Sequence, residues 1–289
     1  MASGATDQPA APYGVHPQSG PSARAPAQSI PRAVPPRPVM ADDSDTPVYA
    51  VLGATGGIGS AVSRRLADRD ARLVLGARSE DALDLLAEET GGAAVSLDAT
   101  DFEQVQQLVE ETVDEQGRID GLVNCVGSIL LKPAHLTSVE DFDETLQLNL
   151  HSAFYAVKAA ARPMMKSDSG GSIVLSASAV ARKGLKNHEA IAAAKAGVIG
   201  LMRAAAATYA GRDVRVNAVA PGLVETPQSA DLLRSEQGRK QSEAMHPLGR
   251  LGQPEDVARA ICYLLDEEES NWITGQVFGI DGGLGTLNA

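Results

Sequence analysis

Between residues 53 and 59 the chain reads Gly53-Ala54-Thr55-Gly56-Gly57-Ile58-Gly59, after an apolar run and before a stretch rich in Ala, Leu and Arg. Glycines let main chain come close to a phosphate, and the free N–H groups that open a helix add partial positive charge. A strand, a glycine-rich turn and a helix in that order predict a pyrophosphate site at Gly53, Thr55, Gly57, Ile58 and Gly59. The competing reading is a tight structural turn, for which one glycine rather than four ordinarily suffices. Roughly twenty residues further on, where an NAD site carries an acid for the ribose 2′-hydroxyl, the chain reads Leu75-Gly76-Ala77-Arg78. No acid is present there. Ala77 leaves room and Arg78 presents a fork of donors to a 2′-phosphate, so NADP(H) is the expected cofactor. The other reading of Arg78 is a solvated residue at a helix start. Asp98, closing the run Val95-Ser96-Leu97-Asp98, is placed to accept from an adenine amino group or to cap a helix before Phe102, which Asp101 can equally do.

The elements that must position these residues follow from pattern. Short β-rich runs at 48–53, 71–77, 119–126, 171–177, 214–220 and 276–280 alternate with helical stretches such as Phe102 to Gln116 and Glu189 to Ala210. Alternation of this kind predicts an α/β fold with a doubly wound parallel sheet, Rossmann-like, in a single domain over 47–289. Ligands bind such sheets at the carboxyl ends of the strands. Residues 1–46 hold most of the prolines without apolar periodicity and are expected to be a disordered Pro/Ala-rich extension. A targeting segment over 1–40, carrying Arg24, Arg32 and Arg37, and an untranslated stretch ahead of Met40 are the alternatives.

Composition narrows the classes. The chain has 289 residues, 44% apolar and 21% charged, enough to bury a sizeable core. A net charge of -12 disfavours nucleic acid and anionic membranes as partners. No run approaches the roughly 18 apolar residues of a membrane helix, and no secretory leader is visible, so a soluble, cytoplasmic protein without membrane partner is expected. Cys125 and Cys262 lie far apart and outside any metal-ligand spacing, so two reduced thiols and no metal are expected.

From 47 to 289 the sequence resembles the short-chain dehydrogenase/reductase family. Asn124-Cys125-Val126-Gly127 stands where the family has Asn-Asn-Ala-Gly, and Asn217-Ala218-Val219-Ala220-Pro221-Gly222 matches its sixth-strand signature. Trp272-Ile273-Thr274-Gly275-Gln276 and Asp281-Gly282-Gly283 resemble its terminal strand region. The resemblance implies that Asn124, Gly127, Pro221 and Gly222 border the cofactor and that Thr226 meets the nicotinamide carboxamide. It implies catalytic-site roles for Asn149, Ser178 and Lys195, with Lys195 also on the cofactor ribose. The family places a tyrosine four residues before its lysine; here that residue is Ile191. An aliphatic side chain neither donates nor accepts a proton.

Residues 188, 191 or 192, and 195 share a helix face, which puts His188 two turns before Lys195. Enoyl reductases of the family carry their tyrosine at that seven-residue spacing. An imidazole donates and accepts protons near neutral pH, so His188 is the candidate acid for a carbonyl or conjugated C=C acceptor. The bland reading makes His188 a first-turn residue after an Asn187 cap. The competing class is a redox-inactive dinucleotide-binding sensor or inactive subunit, which Ile191 predicts as readily. Residues 227–247 are expected to form a lid over a small-molecule substrate, in which Arg234, Arg239 and Lys240 either meet an anion or line a solvated face. The Ala-rich helix with Gly197 and Gly200 inside it and Gly211 as its expected stop permits close approach of another helix; the resemblance implies that this helix packs on its symmetry mate in a homodimer or homotetramer, and internal packing is the alternative.

Overall fold

Each strand of this protein pairs only with parallel neighbours, in a seven-stranded sheet of order β3-β2-β1-β4-β5-β6-β7, in a computed structural model that describes residues 46–287. The elements run β1 (Val48–Leu52), α1 (Gly57–Ala67), β2 (Arg72–Ala77), α2 (Glu80–Thr90), β3 (Ala93–Ser96) and α3 (Phe102–Gln116). There follow β4 (Gly121–Asn124), α4 (Val139–Leu146), α5 (Ser152–Met164), β5 (Gly171–Ser176) and α6 (Glu189–Tyr209). The chain closes with β6 (Val214–Pro221), α7 (Glu236–Ala244), α8 (Pro254–Leu265), a four-residue turn of helix and β7 (Val277–Ile280). Apart from Thr46, the extension expected over 1–46 lies outside the described residues.

β1 pairs with β2 on one side and β4 on the other, so the chain reverses its direction of travel across the sheet at β1. The carboxyl ends of β1 and β4 thus flank the crevice where ligands of such folds bind. The strands are apolar on both faces because helices cover both. Leu108, Val109, Val198 and Met202 from α3 and α6 fill one face. Val62, Leu66, Leu86 and Ile261 from α1, α2 and α8 fill the other. Local chemistry sets the helix starts: the Asp101 carboxylate accepts from the N–H groups of Glu103 and Gln104, and α8 begins at Pro254.

Four expectations need correction. The third strand ends at Ser96, two residues before Asp98, because pairing with β2 stops at Ala77 and the Asp98 carboxylate turns the chain by binding Thr100 N–H and hydroxyl at 2.9 and 2.8 Å. Asn187 is not the cap of α6; it adopts φ 64, a left-handed conformation that Asn tolerates, and His188 takes the cap position. Gly211 does not stop α6, which ends at Tyr209 and passes through a tight turn to Asp213 at φ 55. Finally, residues 189–212 are long and apolar enough, by length and composition alone, to cross a membrane. Ala and Gly raise the average there while Glu189, Lys195 and Arg203 interrupt every run. In the fold this segment is the crossover between β5 and β6, with Ala194, Val198 and Met202 fully buried.

Candidate active site

The turn after β1 is built for close approach. Gly53 lies at φ 74, and the N–H groups of Gly53 and Ala54 both bind Gly76 O, tying the turn to the end of β2. A Cβ on Gly59 would collide with Gly53 O, and one on Gly57 would stand 2.6 Å from Thr226 Cγ2. Main chain of the loop after β1 and the side chain of Thr226 after β6 therefore face each other at contact distance.

β4 ends in a second turn that meets the first. The Asn124 side chain, buried at 2% exposure, accepts from Val126 N–H and donates to Ser152 Oγ, which holds the turn down on α5. A Cβ on Gly127 would meet Asn149 Oδ1 at 2.8 Å and Lys195 Nζ at 3.2 Å, so only glycine leaves those two groups in place. Asn149 sits in a π-helical turn, Gln147–His151, between α4 and α5. Its Oδ1 accepts from Ser128 N–H, and its Nδ2 donates to Ser128 Oγ and Thr145 O. The extra residue of the π turn is a common device for aiming a side chain inward.

Lys195, on the buried face of α6, donates to Ser176 O at 2.8 Å. Burial pushes its ammonium down to about 8. Burial pushes the neighbouring Cys125 thiol up to about 12, against the opposing effects of Ser176 and Lys195. Ser178 follows β5; its Oγ accepts from Val180 N–H, which leaves the hydroxyl proton available to a ligand. His188 Nδ1 donates to Lys186 O at 2.7 Å, since a carbonyl can only accept. Nε2 is therefore the ring nitrogen left to a ligand: it accepts in the neutral ring and carries a transferable proton only in the imidazolium.

These residues converge. One cleft of about 570 Å³ is lined by Thr55, Gly57, Ile58 and Gly59 from the first turn and by Gly127 from the second. Ser178, His188, Ile191 and Lys195 line it from the side of β5 and α6, and Pro221, Gly222 and Thr226 from β6 onward. Gly53, Asn124 and Asn149 lie behind its wall and shape the turns. Arg78 and Asp98 stand apart from it, at the ends of β2 and β3. Arg78 is exposed and has no partner among the described residues. A larger concavity, about 780 Å³, opens at the amino ends of the strands beside Tyr49, Asp120 and Trp272, and contains none of the predicted residues. Its size does not outweigh the convergence of functional groups elsewhere.

Sequence reasoning missed two contributors. His246, 2% exposed, accepts from Leu223 N–H at Nε2 and donates from Nδ1 to Ser242 O, joining α7 to the loop after β6. Gln228 reaches across the cleft to Gly127 O at 2.9 Å. A lone His and a lone Gln in a polar stretch carry no spacing signal. The cations of 227–247 meet acids: Arg234 pairs with Asp231, Arg239 with Glu225 and Glu243, and Lys240 with Glu236. Gly197 packs on Leu150 of the π turn, an internal role, while Gly200 faces open space.

A doubly wound parallel sheet with a glycine turn after its first strand, and with Ser178 and Lys195 in the same cleft, defines a dinucleotide-dependent oxidoreductase. The chain belongs to the short-chain dehydrogenase/reductase family, with residues 53–285 matching the family described as Enoyl-(Acyl carrier protein) reductase. It is 40% identical over 244 residues to the 3-oxoacyl-[acyl-carrier-protein] reductase FabG of Thermotoga maritima, across 82% of this chain and 97% of that one. It is 36% identical over 244 residues to carbonyl reductase family member 4 of Xenopus tropicalis, across 83% and 98%. The solved structure of ElxO with NADP bound matches with a TM-score of 0.77 at 29% identity, over 83% of this chain and 98% of that one.

Proposed function

We propose that this chain is an NADP(H)-dependent reductase of a carbonyl or conjugated C=C group in a small molecule, with His188 in the proton-delivering role the family gives to a tyrosine. The supporting observation is that His188 and Ile191 line the same cleft as Ser178, Lys195 and the glycine turn. The side chains present fit a phosphorylated dinucleotide. Thr55, Gly56, Gly57, Ile58 and Gly59 line the cleft where α1 begins, so main-chain groups at a helix start face a ligand there. Arg78 offers an unpaired guanidinium at the end of β2.

When bound, the reduced nicotinamide supplies hydride to the acceptor. The chain's own groups do the rest. Gly57 and Gly59 present main chain to the pyrophosphate, Arg78 grips the 2′-phosphate, and Lys195 donates to the ribose. Thr226 holds the carboxamide. Ser178 donates its free hydroxyl proton to the substrate oxygen, and His188, as imidazolium, releases its Nε2 proton to the atom that gains negative charge and is left as the neutral Nδ1–H ring. Ile191 contributes no proton and closes the wall beside Lys195 with hydrocarbon.

The test is NADPH consumption, followed by absorbance, over a panel of ketones, quinones and enones after binding of NADPH has been shown by fluorescence. Turnover with at least one class is expected. Tight NADPH binding with no turnover anywhere in the panel would overturn the reading.

A further inference from the structure

We infer that the part of the substrate held in this cleft is uncharged and rich in hydrocarbon: a ketone or enone flanked by aliphatic or alicyclic carbon, rather than a keto acid, a sugar or a phosphorylated carbonyl. This rests on the reductase reading above and adds the chemical class of the substrate.

Beyond the turns that face the cofactor, the walls are Ile129, Leu131, Leu185, Ile191, Leu232 and Met245. Three of these are large apolar side chains left open to water, with Ile129 and Leu131 each 40% exposed and Met245 38%. Exposed apolar groups gathered at one concave site mark a surface that an apolar ligand covers. Ile191 extends the same lining down to one turn before Lys195, at the position where a polar group would otherwise meet the substrate.

Charge gives an independent argument. Among the described residues no Asp, Glu or Arg lines this cleft, and its one ammonium, Lys195, is 6% exposed and already donates to Ser176 O. Arg234, Arg239 and Lys240, the cations of the lid, are paired with acids and do not line it. Lys183, on the loop before α6, donates to Leu287 O and likewise lies outside the lining. A carboxylate or phosphate entering the cleft would lose its water and find no lysine or arginine of the lining free to replace it, and the charge of an imidazolium at His188 is spent when that ring delivers its proton. A polyol fares little better. Gln228 is engaged with Gly127 O, His246 with Leu223 N–H and Ser242 O, and Ser128 Oγ with Asn149, which leaves Ser178, His188, Gln241 and the Ser242 hydroxyl along the hydrocarbon wall.

The same hydrocarbon can arrive on a free ketone or as an acyl chain on a thioester. The experiment therefore uses three probes with the full-length protein: methylcyclohexanone, the closely size-matched oxocyclohexanecarboxylate, and a straight-chain oxoacyl thioester. Binding of each to the protein–NADP⁺ complex is measured by calorimetry, and kcat/KM is measured with NADPH. The neutral ketone should exceed the carboxylate at least roughly tenfold in both, a difference of about 1.4 kcal/mol. Leu185→Lys, which brings an ammonium to the wall, should narrow or reverse that ratio. Equal or better binding of the carboxylate to the wild-type protein would overturn the inference. Preferential binding of the neutral ketone without turnover would sustain it while refuting the reductase reading. Preference between ketone and thioester tells which source carries the hydrocarbon.

Discussion

The Lys195 ammonium donates to the main-chain oxygen of Ser176 at 2.8 Å while burial holds its titration down to about 8. A free lysine titrates near 10.4, so between about 8 and 10.4 the unfolded chain binds the proton that the folded chain has released. Stability contributed by this group is therefore absent below pH 8 and accrues as pH climbs to about 10.4. The shift corresponds to roughly 3 kcal/mol across that window. Denaturant unfolding of the cofactor-free protein and of Lys195→Met should show the wild type gaining on the variant over this range. Parallel pH profiles for the two proteins would contradict the burial effect.

His188 has one ring nitrogen anchored and one available. Replacement by Gln keeps a donor for Lys186 O but removes the acid. For a group acting as general acid, kcat should fall by roughly 10² to 10⁴. NADPH affinity should stay within about twofold, because the ring contributes to the substrate side of the cleft. A His188→Gln protein with unchanged kcat would assign proton delivery elsewhere.

Ile191 permits the converse experiment. A tyrosine there would bring a phenol within one helical turn of Lys195, whose charge favours the phenolate. In a His188→Ala background, Ile191→Tyr should restore a substantial part of the lost turnover. Ile191→Phe, with the same ring and no hydroxyl, should not. Equal behaviour of the two double variants would show that position 191 is not on the route of the proton.

The sheet, the order of its helices and the glycine turn were legible because parallel strands buried on both faces leave apolar runs, and because Gly53, Gly57 and Gly59 answer a steric demand that no other residue meets. α3 was readable to the residue, since Asp101 caps it and Gly117 ends it in a left-handed conformation. The face shared by His188, Ile191 and Lys195 was readable from helical spacing, although Asn187 was not the cap. Asp98 turns the chain by binding Thr100, a role not read from the sequence, while the cap fell to Asp101, a choice that composition alone left open. His246 and Gln228 were invisible because their partners, Leu223, Ser242 and Gly127, are main-chain groups brought near by tertiary folding. Among the cations of 227–247, the pairing of Arg239 with Glu225, 14 positions away, was hidden for a related reason, whereas Arg234 with Asp231 and Lys240 with Glu236 lie within one helical turn.

On the proposed reading, Arg78 selects the phosphorylated dinucleotide. It stands at the end of β2, exposed and without a partner among the described residues. A charge-assisted hydrogen bond contributes about 1.5 to 3 kcal/mol, so Arg78→Ala should weaken NADPH binding by roughly 10- to 100-fold. NADH lacks the 2′-phosphate and should bind the variant about as well as the wild type. Because the side chain is exposed, unfolding stability should change by no more than about 0.5 kcal/mol. Calorimetric titration of both coenzymes into both proteins gives the comparison directly. Equal losses for NADPH and NADH would show that Arg78 supports the fold of the site rather than reading the phosphate.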